Sequence, residues 1–358
     1  MTASFVVLKN VKIIRNYLPL ELCQSDSWRV ANQLSCADFG GNEMSYASIV
    51  MPVYNGEKHL SSTIESLLGQ TFTDFRLIVV DDCSTDNSLA ILQSYRDKRI
   101  LIVENNRHRG VAAALNQGLA YADGKLLFRM DADDVSLPQR LQYQVDFMKE
   151  NPQIFVCGSD TDLIDKDGNI IGHRDTKKGD QRIKIALFLG ETSLAHPSVA
   201  IRNAVLKTHQ IQYSKQYPYA EDYELWCRCS TFSTYENIPE TLLQYRHHDK
   251  SVSKVHYTRQ RLAARKVLAV HLHRLGLNIS QEELNCHFQF SLGLEQSDTM
   301  PTKEQFIRWK TTLTTWNRNR RLFDPILFEA ELEGRYQDAL TSFPERSTRP
   351  SKTDASQK

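Results

Sequence analysis

Three carboxylates, Asp131, Asp133 and Asp134, stand directly after the run Leu126-Leu127-Phe128-Arg129-Met130. The run has the length and composition of a strand in the interior of an α/β sheet. Unpaired charge is too costly to bury, so the acids belong at the strand's C-terminal edge, where open α/β sheets bind their ligands. Hard oxygen ligands this close together suit Mg2+ or Mn2+, with a phosphate completing the shell. A turn of solvated acids capping the next helix would use the same residues. Two further acidic pairs stand at comparable places. Asp81-Asp82 follows the apolar run ending at Val80, and Glu221-Asp222 opens a helix carrying Leu225, Trp226 and Cys229. At a helix start either acid of that last pair could simply be a cap.

The elements that must hold these acids read clearly from Met44 onward. Ala47 to Met51 is a strand ended by Pro52, and Val53-Tyr54-Asn55-Gly56 is a turn. Leu60, Ile64, Leu67 and Leu68 fall at helical spacing between Glu57 and Gln70. Arg76 to Val80 is the second strand, and Ser84-Thr85-Asp86 offers caps for a helix to about Tyr95. Ile100 to Val103 is a third strand; a polar loop from Asn105 to Gly110 leads into a small-residue helix, Val111 to Ala122. This alternation predicts a mainly parallel, doubly wound sheet flanked by helices, with right-handed crossovers. Downstream, Pro138 opens a helix to about Glu150, and Ile154 to Cys157 is a strand. A hairpin turns at Asp167-Gly168, and Asp180 to Leu189 is a helix. His196-Pro197-Ser198 opens a strand through Ile201, and Ala204 to Thr208 is a short helix. Leu242 to Tyr245 is a last strand before Arg246-His247-His248, and helices cover Tyr257–Leu275 and Pro301–Asn317.

The whole chain sets bounds. At 358 residues, 41% hydrophobic and 24% charged, it has ample material for a core. A net charge of +1 argues against a global preference for nucleic acid or anionic membranes. Seven scattered cysteines, with only Cys227 and Cys229 close and no C-x-x-C, read as reduced thiols of a cytoplasmic protein. No apolar run approaches the roughly 20 residues of a membrane span, and residues 1–20 lack the clean apolar core of a signal peptide. Residues 1–45 read as an N-terminal extension. Either the working protein starts near Met44 or the extension is a regulatory or docking arm. The residues after Phe343 have a disordered composition. The expected organisation is therefore extension 1–45, main domain 46–255, helical region 256–343 and tail 344–358.

In order along the chain, Ser48-Ile49-Val50-Met51-Pro52-Val53-Tyr54-Asn55-Gly56, Val79-Val80-Asp81-Asp82-Cys83-Ser84-Thr85-Asp86 and Asn105-Asn106 with Arg109-Gly110 are followed by Met130-Asp131-Ala132-Asp133-Asp134. After these come His196-Pro197-Ser198, Glu221-Asp222 with Leu225-Trp226, and Tyr245-Arg246 with His248 and Ser251. The ordered set resembles the family 2 glycosyltransferases, inverting enzymes of GT-A fold that use nucleotide sugars. The resemblance spans roughly residues 46–255.

The resemblance implies a role for each position. Pro52 and Tyr54 would lie at the donor nucleotide, Tyr54 packing on the base. Asp82 would accept the base's ring N–H, with Asp81 supporting the loop. Uracil is the default, though guanine and thymine present a similar donor. Asp131 would face the ribose or a metal-bound water, and Asp133 would bind Mn2+ or Mg2+. Asp134 is a spare acid or a cap for the helix near Pro138. Asp222 would be the catalytic base, with Glu221 beside it. Arg246 and His248 are candidate diphosphate contacts, or for the histidine a metal ligand; a solvated basic loop is the bland alternative. Arg109 is a weaker candidate for the phosphates.

Processive relatives carry Gln-x-x-Arg-Trp; here Gln244-Tyr245-Arg246 lacks the Trp, which favours transfer of single sugars. The acceptor would be a glycan or lipid-linked glycan in surface polysaccharide or glycolipid synthesis, and nucleic acid is not expected. The stretch 306–322, with Trp309, Trp316 and five basic residues, suggests a peripheral contact with the membrane's inner face. A metal-dependent nucleotidyltransferase and a catalytically silent scaffold are the competing classes.

Overall fold

The computed structural model describes residues 45–248, 252–293 and 298–341. Most of the N-terminal extension, Ser251 and the C-terminal tail lie outside the described residues. The chain divides into two compact units, one ending at Asn278 and one beginning at Ile279.

The first unit is built on nine strands among the described residues: β1 (Ala47–Val53), β2 (Phe75–Asp81), β3 (Ile100–Glu104), β4 (Leu126–Arg129), β5 (Val135–Ser136), β6 (Val156–Ile164), β7 (Ile170–Arg174), β8 (Ala200–Arg202) and β9 (Tyr235–Arg246). Their order is β3-β2-β1-β4-β8-β6-β9-β5, with β7 paired to the outer half of β6. Helices α1 (Leu60–Leu68), α2 (Ser88–Ser94) and α3 (Val111–Tyr121) connect the first four strands, which run parallel. The near-continuous burial of β1, β2 and β4 is what a parallel sheet covered on both faces requires, while β3 at the edge is only partly buried. The chain works outward from β1 to β3 and then returns beyond β1 to lay down β4. The ends of β1 and β4 therefore flank a topological switch point, the place where open α/β sheets bind their ligands. Past β4 the sheet turns mixed: β8 is antiparallel to β4 and β6, β9 is parallel to β6, and β5 is antiparallel to β9. The GT-A architecture expected from sequence is the one observed.

Helices α4 (Arg140–Glu150), α5 (Asp180–Phe188), α6 (Asn203–Thr208), α7 (Glu221–Cys229) and α8 (Tyr257–Arg274), with a single helical turn at Val252–Val255, complete this unit. Helix α8 packs against α5 and α7, so the first unit runs past the boundary expected at 255.

Three local readings change. Pro52 does not end β1, which continues to Val53. The β1–β4 ladder closes at Val50 opposite Arg129, and Pro52 lies beyond it on that side, so its missing N–H removes no ladder bond. Strand β9 starts at Tyr235, well before Leu242. Pro239 and Glu240 are extruded where the register against β6 slips between Ser159 and Thr161, and this bulge hid the strand. His196-Pro197-Ser198 forms a 3-10 turn, and only Ala200–Arg202 is strand.

The second unit holds α9 (Gln281–Phe290), α10 (Lys303–Arg320) and α11 (Pro325–Leu340). Capping boxes start the first two, Ser280 with Glu283 and Thr302 with Gln305, and Asp324 caps the third. Phe306, Trp309 and Leu313 are buried in this unit's core with Phe288, Phe328 and Leu332. Lys310 pairs with Glu333 and Arg318 with Glu329. Within 306–322, Phe306 and Trp309 are thus spent inside the unit, while Arg308, Arg320 and Arg321 are exposed. Among the described residues no helix is long and apolar enough to cross a membrane.

Gly124 shows how tightly the site's scaffold is drawn. It donates to Ser48 Oγ at 3.0 Å and its carbonyl accepts from Asn203 Nδ2 at 2.7 Å. A Cβ here would lie 2.7 Å from the Ser48 backbone nitrogen, with no flexible side chain to yield. Gly124→Ala is expected to lower stability by about 1–3 kcal/mol, read as the shift in urea unfolding free energy.

Candidate active site

The C-terminal ends of β1, β2 and β4 bring Asp81, Asp82, Asp131, Asp133, Asp134 and Tyr54 to one edge of the sheet. The loops after β1 and β2 are tied to each other. Asn55 and Gly56 donate backbone N–H to Ser84 Oγ and Ser88 Oγ at 3.0 and 2.8 Å. Asn55 Oδ1 accepts from Thr85 N at 2.7 Å, and Glu57 accepts from Asn87. These bonds fix the loop that carries Tyr54, which is 48% exposed. Asp81 supports the turn, its Oδ2 accepting from Ser84 N at 3.1 Å.

Asp82 is buried and its carboxylate is engaged by its own neighbourhood. It accepts from Asn105 Nδ2 at 2.8 Å, Arg109 N at 3.0 Å and Gly110 N at 2.7 Å. Gly110 has φ of +84°, which lets its N–H turn toward the acid at the start of α3. His108 Nδ1 stands 2.9 Å from Asp82 Oδ2, and the imidazole stacks on Tyr54 with centroids 3.9 Å apart. Arg109 enters this arrangement through its backbone; its side chain is exposed.

Beyond β4, carboxylate oxygens of Asp131, Asp133 and Asp134 lie within 4.8 Å of one another. Asp131 is ion-paired with Arg129, a nearly buried guanidinium at the end of β4. Asp133 is more open and its Oδ2 lies 3.0 Å from His248 Nε2. Asp134 is buried. One oxygen accepts Arg246 N at 2.8 Å and the other has no hydrogen-bond partner. It therefore anchors the end of β9, while α4 starts without a side-chain cap. Arg246 is also buried: Nε donates to Asp133 O at 2.7 Å and Nη1 to Asp165 O at 2.9 Å. Its guanidinium thereby clamps the acid loop.

Asp222 stands in the first turn of α7, accepting its own neighbour's N–H from Tyr223 at 2.7 Å. Glu221 is buried beside it with Oε2 unpartnered. Burial raises the carboxyls of Asp131, Asp134 and Asp222 above their usual range, with Arg129 opposing it in each. Burial, then the Asp222 charge, pushes Glu221 up to about 7. Burial works against the Arg129 charge, but Asp131 and Asp134 outweigh it and hold the guanidinium firmly protonated. Arg140 lies below, donating to Arg129 O at 2.9 Å, and burial lowers it to about 9.

Residues 48–210 match the family model described as Glycosyl transferase family 2. An uncharacterized glycosyltransferase of Haemophilus influenzae is 32% identical over 246 residues, 65% of this chain and 76% of that protein. The chain belongs to glycosyl transferase family 2. It is also 31% identical over 179 residues to Escherichia coli WfgD, a UDP-Glc:α-D-GlcNAc-diphosphoundecaprenol β-1,3-glucosyltransferase, covering 50% of this chain and 67% of WfgD. S. aureus TarS in complex with UDP-GlcNAc shares the fold, with a TM-score of 0.57 at 20% identity over 83% of this chain and 90% of the other. As a family 2 glycosyltransferase the protein is an enzyme, and the nucleotidyltransferase and silent-scaffold readings fall.

Several residues that shape this family 2 site were given no role from sequence. Arg129 carried a signal, a charge inside an otherwise apolar interior strand, which demands a buried partner. His196 Nε2 lies 2.9 Å from Tyr213 Oη, and burial lowers the imidazole well below its usual range. Tyr213 gave no local signal, since it lies in a loop far along the chain from both. His108 was legible only as one polar residue of a polar loop.

Glu221 supplies a test of the site's electrostatics. A carboxyl raised from its ordinary value of 4.5 to about 7 destabilises the folded state above pH 7 and costs nothing below pH 4.5. Glu221→Gln is therefore expected to raise unfolding free energy by about 2–3 kcal/mol at pH 8, fading to zero by pH 4. Urea titrations at the two pH values check the sign.

Proposed function

We propose that the protein transfers a single sugar from a UDP-sugar to a hydroxyl of a glycan or lipid-linked glycan, inverting the anomeric centre. The observation that carries this reading is the convergence on Arg129 of acids from two separate elements. Asp131 and Asp134 come from the end of β4, and Asp222 and Glu221 from the first turn of α7.

The donor half is read as follows. Pro52 and Tyr54 flank the nucleotide, Tyr54 offers its ring to the base, and Asp82 accepts the base's N–H. Asp133, Asp131 and His248 would hold Mn2+ or Mg2+. The fit rests on hard carboxylate oxygens within 4.8 Å of one another and on the buried, unpartnered Asp134 Oδ2, which marks a deficit of positive charge. When bound, the ion neutralises the charge on the departing diphosphate.

Asp222 takes the proton from the acceptor hydroxyl as that oxygen bonds to the anomeric carbon. The bond from that carbon to the phosphate oxygen breaks on the opposite face, and the nucleoside diphosphate leaves with its electron pair. A raised Asp222 carboxyl is a stronger base than a solvated one. The UDP preference is supported by the UDP-Glc in WfgD's name and the UDP-GlcNAc bound to TarS. The missing Trp after Arg246 supports single transfer. The acceptor reading follows WfgD, whose named acceptor is a lipid-linked diphosphate sugar. Work at the inner face of a membrane follows from such an acceptor. Any peripheral contact would use Ile307, Leu322 and Ile326, which are exposed apolar residues of the second unit.

Two variants separate binding from chemistry. UDP with Mn2+ at a hundredfold excess over its Kd should stabilise the wild-type protein by about 2.7 kcal/mol in a thermal shift assay. Asp133→Ala is expected to lose the metal-dependent part. Asp222→Asn should keep it and lower turnover by about 10²–10⁴-fold. An Asp222→Asn enzyme of near wild-type turnover would remove the base from this reading.

A further inference from the structure

We propose that His108 is a built-in occupant of the base seat, and that the nucleobase binds by displacing its imidazole. The inference rests on the assignment of Tyr54 and Asp82 to the base. The imidazole already does the two things a base with a ring N–H would do there. Its face lies on Tyr54, with centroids 3.9 Å apart and planes inclined by 29°. Its Nδ1 points at Asp82, 2.9 Å from Oδ2 and 3.4 Å from the carbonyl oxygen. Both neighbours of Nδ1 are acceptors, so this nitrogen carries the proton.

Asp82 has no room for a further donor while the imidazole stays. Its two oxygens accept from Asn105 Nδ2, Arg109 N and Gly110 N, with His108 as the fourth. The two backbone donors cannot be withdrawn cheaply. Gly110 is the first residue before α3 and accepts from Ala113 N and Ala114 N, so moving it unwinds that helix. Asn105 is pinned through its N–H to Asp81 O at 2.9 Å. His108 differs: its side chain is 51% exposed, while that of Asp82 is 3% exposed. Of the two side-chain donors it is the more exposed, it rotates away without rebuilding the loop, and its departure uncovers both the Tyr54 face and Asp82 Oδ2. Apparent nucleotide affinity is then the intrinsic affinity reduced by the fraction of molecules with the seat open.

The test is calorimetric titration of UDP, with Mn2+ present, into wild type, His108→Ala, and His108→Ala combined with Tyr54→Ala. If about a tenth of the molecules are open, His108→Ala binds UDP about tenfold more tightly. CDP, whose ring offers no N–H at that position, gains less. Histidine side-chain NMR of the wild-type protein supplies a second readout: UDP should move the His108 ring signals as they leave the Tyr54 ring current. Unchanged or weaker UDP binding by His108→Ala overturns the proposal, as do unmoved ring signals at saturating UDP. The double variant isolates the underlying reading. With the imidazole gone, loss of the Tyr54 ring should weaken UDP; if it does not, the base does not sit on Tyr54. If it does weaken UDP while His108→Ala alone gives no gain, only displacement fails.

Discussion

A guanidinium buried at the end of β4 decides what the rest of the site can hold. Around Arg129 the fold collects Asp131, Asp134, Glu221 and Asp222, carboxyls that would not share a desolvated space unaided. At an effective dielectric near 20, one close opposite charge offsets about 4 kcal/mol. That is enough to keep some of these acids ionised but not all at their ordinary strength. Arg140 adds a second positive charge from below, at the cost of part of its own affinity for a proton. The remaining deficit lies on the open side, at Asp133 and His248 and the unpartnered oxygen of Asp134. A divalent cation and a diphosphate would complete the balance there.

The sheet explains why these groups meet. Its parallel half places the loops of β1, β2 and β4 on one edge, beside the switch point in strand order. The mixed half returns β9 alongside β5, where the Arg246 N–H and guanidinium tie down Asp134 and the Asp133 carbonyl. Helix α7 then presents Asp222 from a separate element. The acids after β4 and those that open α7 thus come from different parts of the chain and face one buried charge.

Legibility from sequence followed the range of the interaction. The strand and helix alternation from Ala47 to Arg129 was readable because parallel strands are buried on both faces and connected by local helices. The acids were readable because carboxylates after an apolar run have few structural explanations. Strand β9 was read too short because Pro239 marks a bulge that looks like a break. The clamp made by Arg246 had no local signal, because its buried carbonyl partners, Asp133 and Asp165, come from two other loops. The roles of Tyr213 and His108 depend on contacts that no local pattern encodes. Helix α11 carried a signal in Asp324-Pro325, a cap followed by a first-turn proline, that was not used.

The account stands on a single displacement assisted by one base, with no enzyme nucleophile. The stereochemistry of the product tests this most directly. The product of transfer from an α-linked UDP-sugar would be examined by proton NMR, reading the anomeric coupling before any equilibration. A β-linked product is the result predicted. An α-linked product would mean two displacements or front-face attack, and would contradict the role given to Asp222.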